Sequence, residues 1–151
     1  MMSAEKNKLL ARRVFEEYWN KHNSDFSPDI YTKDFTLTDP YVPMKGKGLE
    51  GSKFYFDTFT RAFPDLKFSI EEQIAEGDTV VTRAFATATH EGEILGIPAT
   101  HTKTTLPVIV FHKFEDGKIA NAFVFWDVFG FFRATGAFAP AGMNKPAYSM
   151  A

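Results

Sequence analysis

The hydrophobic pattern of the chain changes its period once, near residue 66, and this change limits the folds that the chain can adopt. Before that point apolar residues recur at steps of three and four, which predicts amphipathic helices. After it apolar and polar residues alternate, which predicts long strands over 66–76, 79–90, 102–115 and 118–128. Helices followed by a meandering antiparallel sheet make an α+β fold.

Three helices and a short strand are predicted before the long strands. The first helix runs over 4–22, and the second begins at Ser27 and ends near residue 33, because proline is favoured at the first helical position. A strand over 35–39 stops at a proline, and a third helix ends at Pro64.

Length and composition exclude several classes of protein. The 151 residues suit one domain, placed at 1–136, with 137–151 as a C-terminal extension. The net charge of −2, without a basic cluster, argues against nucleic acid as a partner. The chain has no cysteine and its four histidines are scattered, so we expect no disulfide and no metal site. The polar start and the lack of a long apolar run predict a cytoplasmic protein that does not cross a membrane.

Two turn signals set the registers of the long strands. Gly-Asp at 77–78 joins the first two, and Asp-Gly at 116–117 joins the last two, so each pair should form an antiparallel hairpin. In the first hairpin Glu72 then lies opposite Arg83, as a cross-strand ion pair.

The register of the second hairpin assigns side chains to the two faces of the sheet. One face receives the cross-strand pairs His112–Asn121, Val110–Phe123, Val108–Phe125 and Leu106–Asp127. The opposite face is also apolar and includes Phe111, Val124 and Trp126. Because the helices of a small domain can cover one face, we expect a second copy of the chain to cover the other, in a homodimer.

The chain is rich in aromatic residues, with 17 Phe and an aromatic content of 16%. This content can line a cavity for a small apolar molecule, or it can serve a Phe-rich core with a subunit interface. An aromatic residue on a helix can likewise be a cavity wall or simply core. The candidate walls are Trp19, Tyr41, Tyr55, Phe59, Val108, Val110, Phe123 and Phe125.

Six short motifs follow one another along the chain. They are FPD (63–65), AEGD (75–78), TH-x-G (89–92), GIP (96–98), EDGKI (115–119) and WD (126–127). Together with the order of helices and strands, they resemble the SnoaL-like proteins of the nuclear transport factor 2-like superfamily, which also contains the ketosteroid isomerases. The resemblance implies a cone-shaped α+β barrel whose curved sheet wraps a deep pocket closed by helices, and dimers through the outer sheet face.

Two carboxylates at strand ends are the main catalytic candidates, since a carboxylate beside apolar walls can exchange a proton near neutral pH. Asp127 resembles the aspartate that acts as general acid/base in the polyketide cyclases, which need no metal or cofactor. The same side chain could instead cap the turn at Val128. Asp39 resembles the proton-shuttling aspartate of the ketosteroid isomerases, or is a turn residue before Pro40.

The isomerase pattern is incomplete in this chain. Phe15 and Val110 stand where the isomerases have the phenol and the neutral acid of their oxyanion hole. The sequence therefore does not favour a steroid isomerase.

Two histidines are further candidates. His90, in the TH-x-G motif, could orient or protonate a substrate oxygen. The hairpin register instead places it on the alanine-bearing face of its strand, away from Phe85, as a surface or interface histidine. His112 is either a pocket-floor residue hydrogen-bonded to Asn121 or an ordinary strand-end histidine.

These observations favour a cofactor-independent enzyme of the cyclase or isomerase type, acting on a small apolar carbonyl compound with Asp127 as general acid/base. A non-catalytic ligand-binding or scaffolding dimer is the alternative, since the polar groups of the pocket are few. Epoxide hydrolysis, which needs an Asp-Arg-Asp set around a water, is a third hypothesis that would rely on Arg83.

Overall fold

The computed structural model describes residues 3–138, so most of the predicted extension over 137–151 lies outside the described residues. The first helix starts where the Ser3 side chain accepts the N–H of Lys6. The helical elements are α1 (Ala4–Arg13), a π-helical segment (Val14–Trp19), a 3₁₀ turn (Ser24–Phe26), α2 (Ser27–Ile30), α3 (Gly48–Ala62) and α4 (Val128–Thr135). Among the described residues no helix is long and apolar enough to cross a membrane.

Five strands form one curled sheet and confirm the predicted α+β fold. They are β1 (Tyr31–Thr38), β2 (Lys67–Glu76), β3 (Thr79–Thr89), β4 (Lys103–Glu115) and β5 (Lys118–Trp126). Their order in the sheet is β1-β5-β4-β3-β2; β1 runs parallel to β5 and the other pairs are antiparallel. The four long strands lie within two residues of their predicted limits.

Two predicted limits in the first part of the chain are wrong. The second helix ends at Ile30 rather than near residue 33, and β1 begins at Tyr31 rather than at residue 35. The physical reason is sheet pairing, because Tyr31 pairs with Ile119 of β5 and is itself buried. Tertiary packing here overrides the local helix signal.

The first hairpin has the predicted register from its turn as far as the pair Glu72–Arg83. Beyond it a β-bulge at Glu71 shifts the pairing, so that Ile70 pairs with Ala84. Glu72 pairs with Arg83, and the Arg83 Nε lies 3.5 Å from Glu72 Oε1.

The alanine-bearing face of β3 is the inner face of the sheet, and Ala84 and Ala88 are buried there. The expectation that the face of β3 with Phe85 points inward is therefore wrong. Aromatic side chains of the helices fill much of the interior, so the small alanines of β3 face it.

The second hairpin departs from its predicted register after two pairs. Phe114 pairs with Ile119, but Lys113 pairs with Asn121, so Ala120 has no partner on β4 and forms a β-bulge. A shift of one residue moves every later side chain to the opposite face. Beyond the bulge, the even-numbered residues of β5 therefore face inward.

Because of this shift, the predicted faces of β5 are wrong beyond the bulge. Val124 and Trp126, expected outside, lie against the core. Phe123 and Phe125, expected inside, are 38% and 48% exposed on the outer face.

We predict that deleting Ala120 keeps the observed faces of β5. The residues before and after Ala120 already pair with the adjacent residues Phe114 and Lys113. The shortened strand then forms a regular ladder with Phe123 outside and Trp126 inside. Urea denaturation should therefore show a smaller loss of unfolding free energy than the roughly 3 kcal/mol or more that reversed faces would cost. The control Ala120→Gly keeps the residue count and should cost about 1 kcal/mol or less. A deletion variant that loses more than about 3 kcal/mol would show that the strand has changed faces.

Candidate functional site

A cavity of about 90 Å³ lies between the inner face of the sheet and the helices. This volume is several times the roughly 10–15 Å³ that one water needs, so a small organic molecule can enter. Its walls are mainly apolar and aromatic. The polar side chains on its wall are Tyr18, Tyr31, Ser52, Tyr55, Thr104, His112 and the indoles of Trp19 and Trp126.

Most of the predicted wall residues line this cavity. They are Trp19, Tyr55, Phe59, Val108, Val110 and His112. Phe123 and Phe125 do not, because of the bulge. Tyr41 is 38% exposed and packs edge-on against Phe125 at 5.8 Å, outside the cavity lining.

The π-helical segment is a part of the site that the sequence did not indicate. The N–H of Asn20 donates to the carbonyl of Phe15 at 2.9 Å, a step of five residues. This wider turn brings Val14, Tyr18 and Trp19 to the cavity together with Phe15. Such π-turns are frequent at functional sites, but a helical hydrophobic pattern does not distinguish them from an α-helix.

Asp39 forms a buried polar network at one end of the cavity. Its Oδ1 accepts the backbone N–H groups of Tyr41 at 2.8 Å and Val42 at 3.1 Å, as in an Asx turn. Its Oδ2 accepts the hydroxyl of Tyr55 at 2.7 Å and the indole N–H of Trp126 at 3.1 Å. Asp39 is 7% exposed, so these four donors replace water around its carboxylate.

Tyr55 and Trp126 connect this carboxylate to the cavity, since both side chains line it. Burial raises the pKa of the Tyr55 phenol well above its usual value of 10, and the charge of Asp39 raises it further. Tyr55 therefore stays protonated at neutral pH and acts as a donor to Asp39. The sequence did not indicate the contact with Trp126, because the bulge that turns the indole inward has no residue signature.

Asp127 lies at the N-terminus of α4, where its Oδ1 accepts the N–H of Gly130 at 2.9 Å. This is the capping geometry that was the alternative to a catalytic role. Asp127 is not among the residues that line the cavity. Its neighbour Trp126 points into the cavity instead.

His90 is fully buried, so the expectation that it is a surface or interface histidine is wrong. It lies at the end of the inner face of β3, where its ring packs against Phe63 at 5.7 Å and Phe131 at 5.1 Å. Its Nδ1 is 2.9 Å from the hydroxyl of Thr100, and its Nε2 has no partner among the described residues. It does not line the cavity.

His112 is 2% exposed and lies on the cavity wall, next to Phe15 at 6.0 Å between ring centroids. Burial lowers the pKa of its imidazole from 6.5 to about 4, so the ring is neutral at pH 7. Its Nδ1 is buried without a partner among the described residues, and Asn121 donates to Thr36 instead. The predicted hydrogen bond between His112 and Asn121 is therefore wrong.

Among the described residues, neither an epoxide hydrolase arrangement nor a metal site is assembled at this cavity. Arg83 is exposed and paired with Glu72, away from the cavity lining, which speaks against an epoxide hydrolase arrangement. Within residues 3–138 no group of three or more His, Asp or Glu side chains could hold a metal ion.

Comparison with known proteins identifies the family of this chain. The family model described as SnoaL-like polyketide cyclase matches residues 9–135. The chain belongs to this family. No curated protein matches the chain.

Solved structures share the fold of this SnoaL-like chain. TsrD from Streptomyces laurentii has a TM-score of 0.80 and 22% identity, over 91% of this chain and 100% of that one. A structure from Jannaschia sp. CCS1 has a TM-score of 0.81 and 23% identity, over 93% and 98%. A SnoaL-like polyketide cyclase from Agrobacterium tumefaciens has a TM-score of 0.71 and 19% identity, over 88% and 98%.

The neutral state of His112 predicts a pH-dependent stability. In the unfolded chain the imidazole has a pKa of 6.5, whereas in the folded protein its pKa is about 4. Between these two pH values the unfolded chain binds a proton that the folded protein does not. The contribution of the neutral imidazole to the free energy of unfolding is therefore complete above pH 6.5 and is lost as the pH falls from 6.5 to 4. The full loss is about 3 kcal/mol at most.

This loss can be measured by urea denaturation between pH 7 and pH 4. His112→Leu should lower the slope of stability against pH, whereas the control Val110→Leu, a cavity-wall position on the same strand that cannot titrate, should keep it. An unchanged slope in the Leu variant would show that His112 is not the group that titrates.

Proposed function

We propose that the protein is a cofactor-independent enzyme that performs acid/base chemistry of the cyclase or isomerase type on a small apolar carbonyl compound. Membership of the SnoaL-like family supports a cyclase-type small-molecule protein. The apolar walls of the cavity support an apolar ligand. The observation that carries the proposal is the 2.7 Å hydrogen bond that joins the hydroxyl of Tyr55, a residue of the cavity wall, to the buried carboxylate of Asp39.

This hydrogen bond can act as a proton relay. The phenol oxygen of Tyr55 accepts a proton from the carbon next to the ligand carbonyl, while the phenol proton passes to Asp39 Oδ2. The ligand becomes an enolate, Tyr55 stays neutral and Asp39 becomes a carboxylic acid, so charge and protons balance. The reverse transfer returns the proton after the ligand has cyclised or isomerised. The indole N–H of Trp126 holds Asp39 in place through both steps.

Asp39 is preferred to Asp127 for this role because of what each carboxylate contacts. Asp39 contacts two side chains that line the cavity. Asp127, which the family resemblance implies as the acid/base, contacts the N–H at the start of α4. The two assignments differ in the variants that should lose activity.

The proposal predicts that Tyr55→Phe abolishes proton transfer but not binding. The probe is 1,4-diacetylbenzene, a rigid apolar diketone that presents an acetyl group at either end. Deuterium uptake into its methyl groups in D₂O, followed by NMR, should fall by about 10²- to 10⁴-fold in Tyr55→Phe and in Asp39→Asn. Binding is measured by tryptophan fluorescence, since both tryptophans of the chain, Trp19 and Trp126, line the cavity.

Two controls accompany this experiment. Tyr18→Phe removes another buried hydroxyl of the cavity wall, which donates to the carbonyl of Ser52 and to no carboxylate, and should keep the exchange. Asp127→Asn should also keep it, because Asn caps a helix about as well as Asp. Loss of exchange in Asp127→Asn alone would assign the chemistry to Asp127. Binding without exchange in the wild type would favour a non-catalytic ligand-binding protein.

We also propose that the outer sheet face forms a homodimer interface. Four apolar side chains of β4 and β5 are 38–48% exposed on this face: Ile109, Phe111, Phe123 and Phe125. Phe123 and Phe125 stack at 6.0 Å and present a rigid aromatic surface. Such a contiguous apolar surface is typical of a subunit interface.

The dimer can be tested by light scattering at micromolar concentration. Phe125→Lys should weaken association by about 30-fold or more, the effect of losing an aromatic hot spot of about 2 kcal/mol. The control Leu9→Lys changes an equally apolar residue that is 62% exposed on α1 and should leave the dimer intact. A monomeric wild type would exclude the interface.

A further inference from the structure

The cavity has a polar side chain that lacks a partner in the protein. His112 lines the cavity, is 2% exposed, and has a buried Nδ1 without a hydrogen bond among the described residues. Several other polar groups of the wall are engaged. Tyr55 and Trp126 donate to Asp39, and Tyr18 donates to a backbone carbonyl of α3. The Nε2 of His112 has no hydrogen bond among the described residues either and, unlike Nδ1, is not a fully buried atom. Because polar groups in a protein interior are nearly always hydrogen-bonded, the free Nε2 on the wall of the cavity points to a ligand.

The surroundings of His112 favour one of its two tautomers. A neutral imidazole carries a hydrogen on one nitrogen and a lone pair on the other. A buried N–H without an acceptor is rarer in proteins than an acceptor without a donor. The unpartnered Nδ1 therefore holds the lone pair, and Nε2 holds the hydrogen. Since Nδ1 is buried, Nε2 is the nitrogen through which the ring can reach a ligand.

The charge state of the ring limits the chemistry of that ligand. Burial lowers the pKa of His112 to about 4, so it offers an uncharged donor at neutral pH. The nearest ring, Phe15, adds no charge. An anionic ligand group would lose its hydration here without gaining a counter-charge, whereas a neutral carbonyl oxygen loses little and accepts the N–H.

His112 lies well apart from the proposed proton relay. Val108 pairs with Trp126, and His112 is four residues further along β4, about 13 Å by the rise of a strand. One oxygen atom of a ligand cannot serve both positions at once.

We propose that the Nε2–H of His112 donates a hydrogen bond to a neutral carbonyl oxygen of the ligand, remote from the group that reacts at Tyr55. The substrate class is then an uncharged, mainly apolar compound with two separated oxygen functions. The inference rests on the proposed function for the carbonyl ligand and adds how that ligand is recognised and oriented.

The first test compares two probes of the same shape. In 4-isopropenylacetophenone one carbonyl oxygen of 1,4-diacetylbenzene is replaced by a CH₂ group. Wild type should bind the diketone about tenfold more tightly by tryptophan fluorescence, the effect of one buried hydrogen bond. His112→Leu should reduce this preference to the ratio set by symmetry alone, and His112→Gln, which keeps an N–H donor, should restore part of it. An undiminished preference in His112→Leu overturns the proposal.

The second test observes the imidazole itself. In ¹⁵N-histidine-labelled protein, the resonances of His112 are those that disappear in His112→Leu. We expect the Nε2–H tautomer in the free protein, and a shift of Nε2 when 1,4-diacetylbenzene binds. A complex with hydrogen on Nδ1, or a His112 that does not respond, overturns the proposal.

These tests separate this inference from the proposed function. Tyr55→Phe should keep the preference for the diketone although it loses deuterium exchange. If deuterium exchange occurs but the preference for the diketone does not depend on His112, the proton relay is supported and the role of His112 in recognition is excluded. If the preference depends on His112 but no exchange occurs, only the relay is excluded.

Discussion

The buried carboxylate of Asp39 is the interaction on which the candidate site depends. It ties the end of β1 to α3 through Tyr55 and to β5 through Trp126, with hydrogen bonds of 2.7 and 3.1 Å. Removing one of its four donors leaves a buried acceptor short of a hydrogen bond, at a cost of about 1–3 kcal/mol. The network therefore fixes two side chains of the cavity wall, which a reaction that requires orientation needs. Apolar contacts alone would leave a phenol or an indole free to rotate.

This network exists because a single residue is added to β5. Sequence rules predicted the strand limits and, in the first hairpin, the register from the turn at 77–78 to the pair Glu72–Arg83. They failed in the second hairpin because a bulge at Ala120 has no composition of its own. An alanine pairs as readily as it bulges, so local preference does not choose between the two. The choice is made by the whole of β5, since only the shifted register offers the Trp126 N–H to Asp39.

The candidate site was predictable to the extent that single residues carried a signal. The Asp-Pro step marked Asp39 and the aromatic residues of the helices marked Trp19, Tyr55 and Phe59 as walls. The sequence could not reveal that small alanines of β3 face these rings. A pattern search assigns large apolar residues to the interior, but a cavity forms where a small residue faces a large one and the space between them stays unfilled.

The polar groups of the cavity include a set that the protein satisfies and a buried histidine that it does not. The satisfied set, around Asp39, is rigid, and its hydrogen bonds are formed before any ligand arrives. The unsatisfied group, His112, is held neutral by the same burial that leaves its Nδ1 without a partner. In a core formed only for stability, such a nitrogen would be a cost that a leucine avoids. Its presence on the wall of an apolar cavity is explained if the other nitrogen, Nε2, donates to a ligand. The cost of the buried Nδ1 then accompanies a donor that distinguishes a carbonyl from an apolar group.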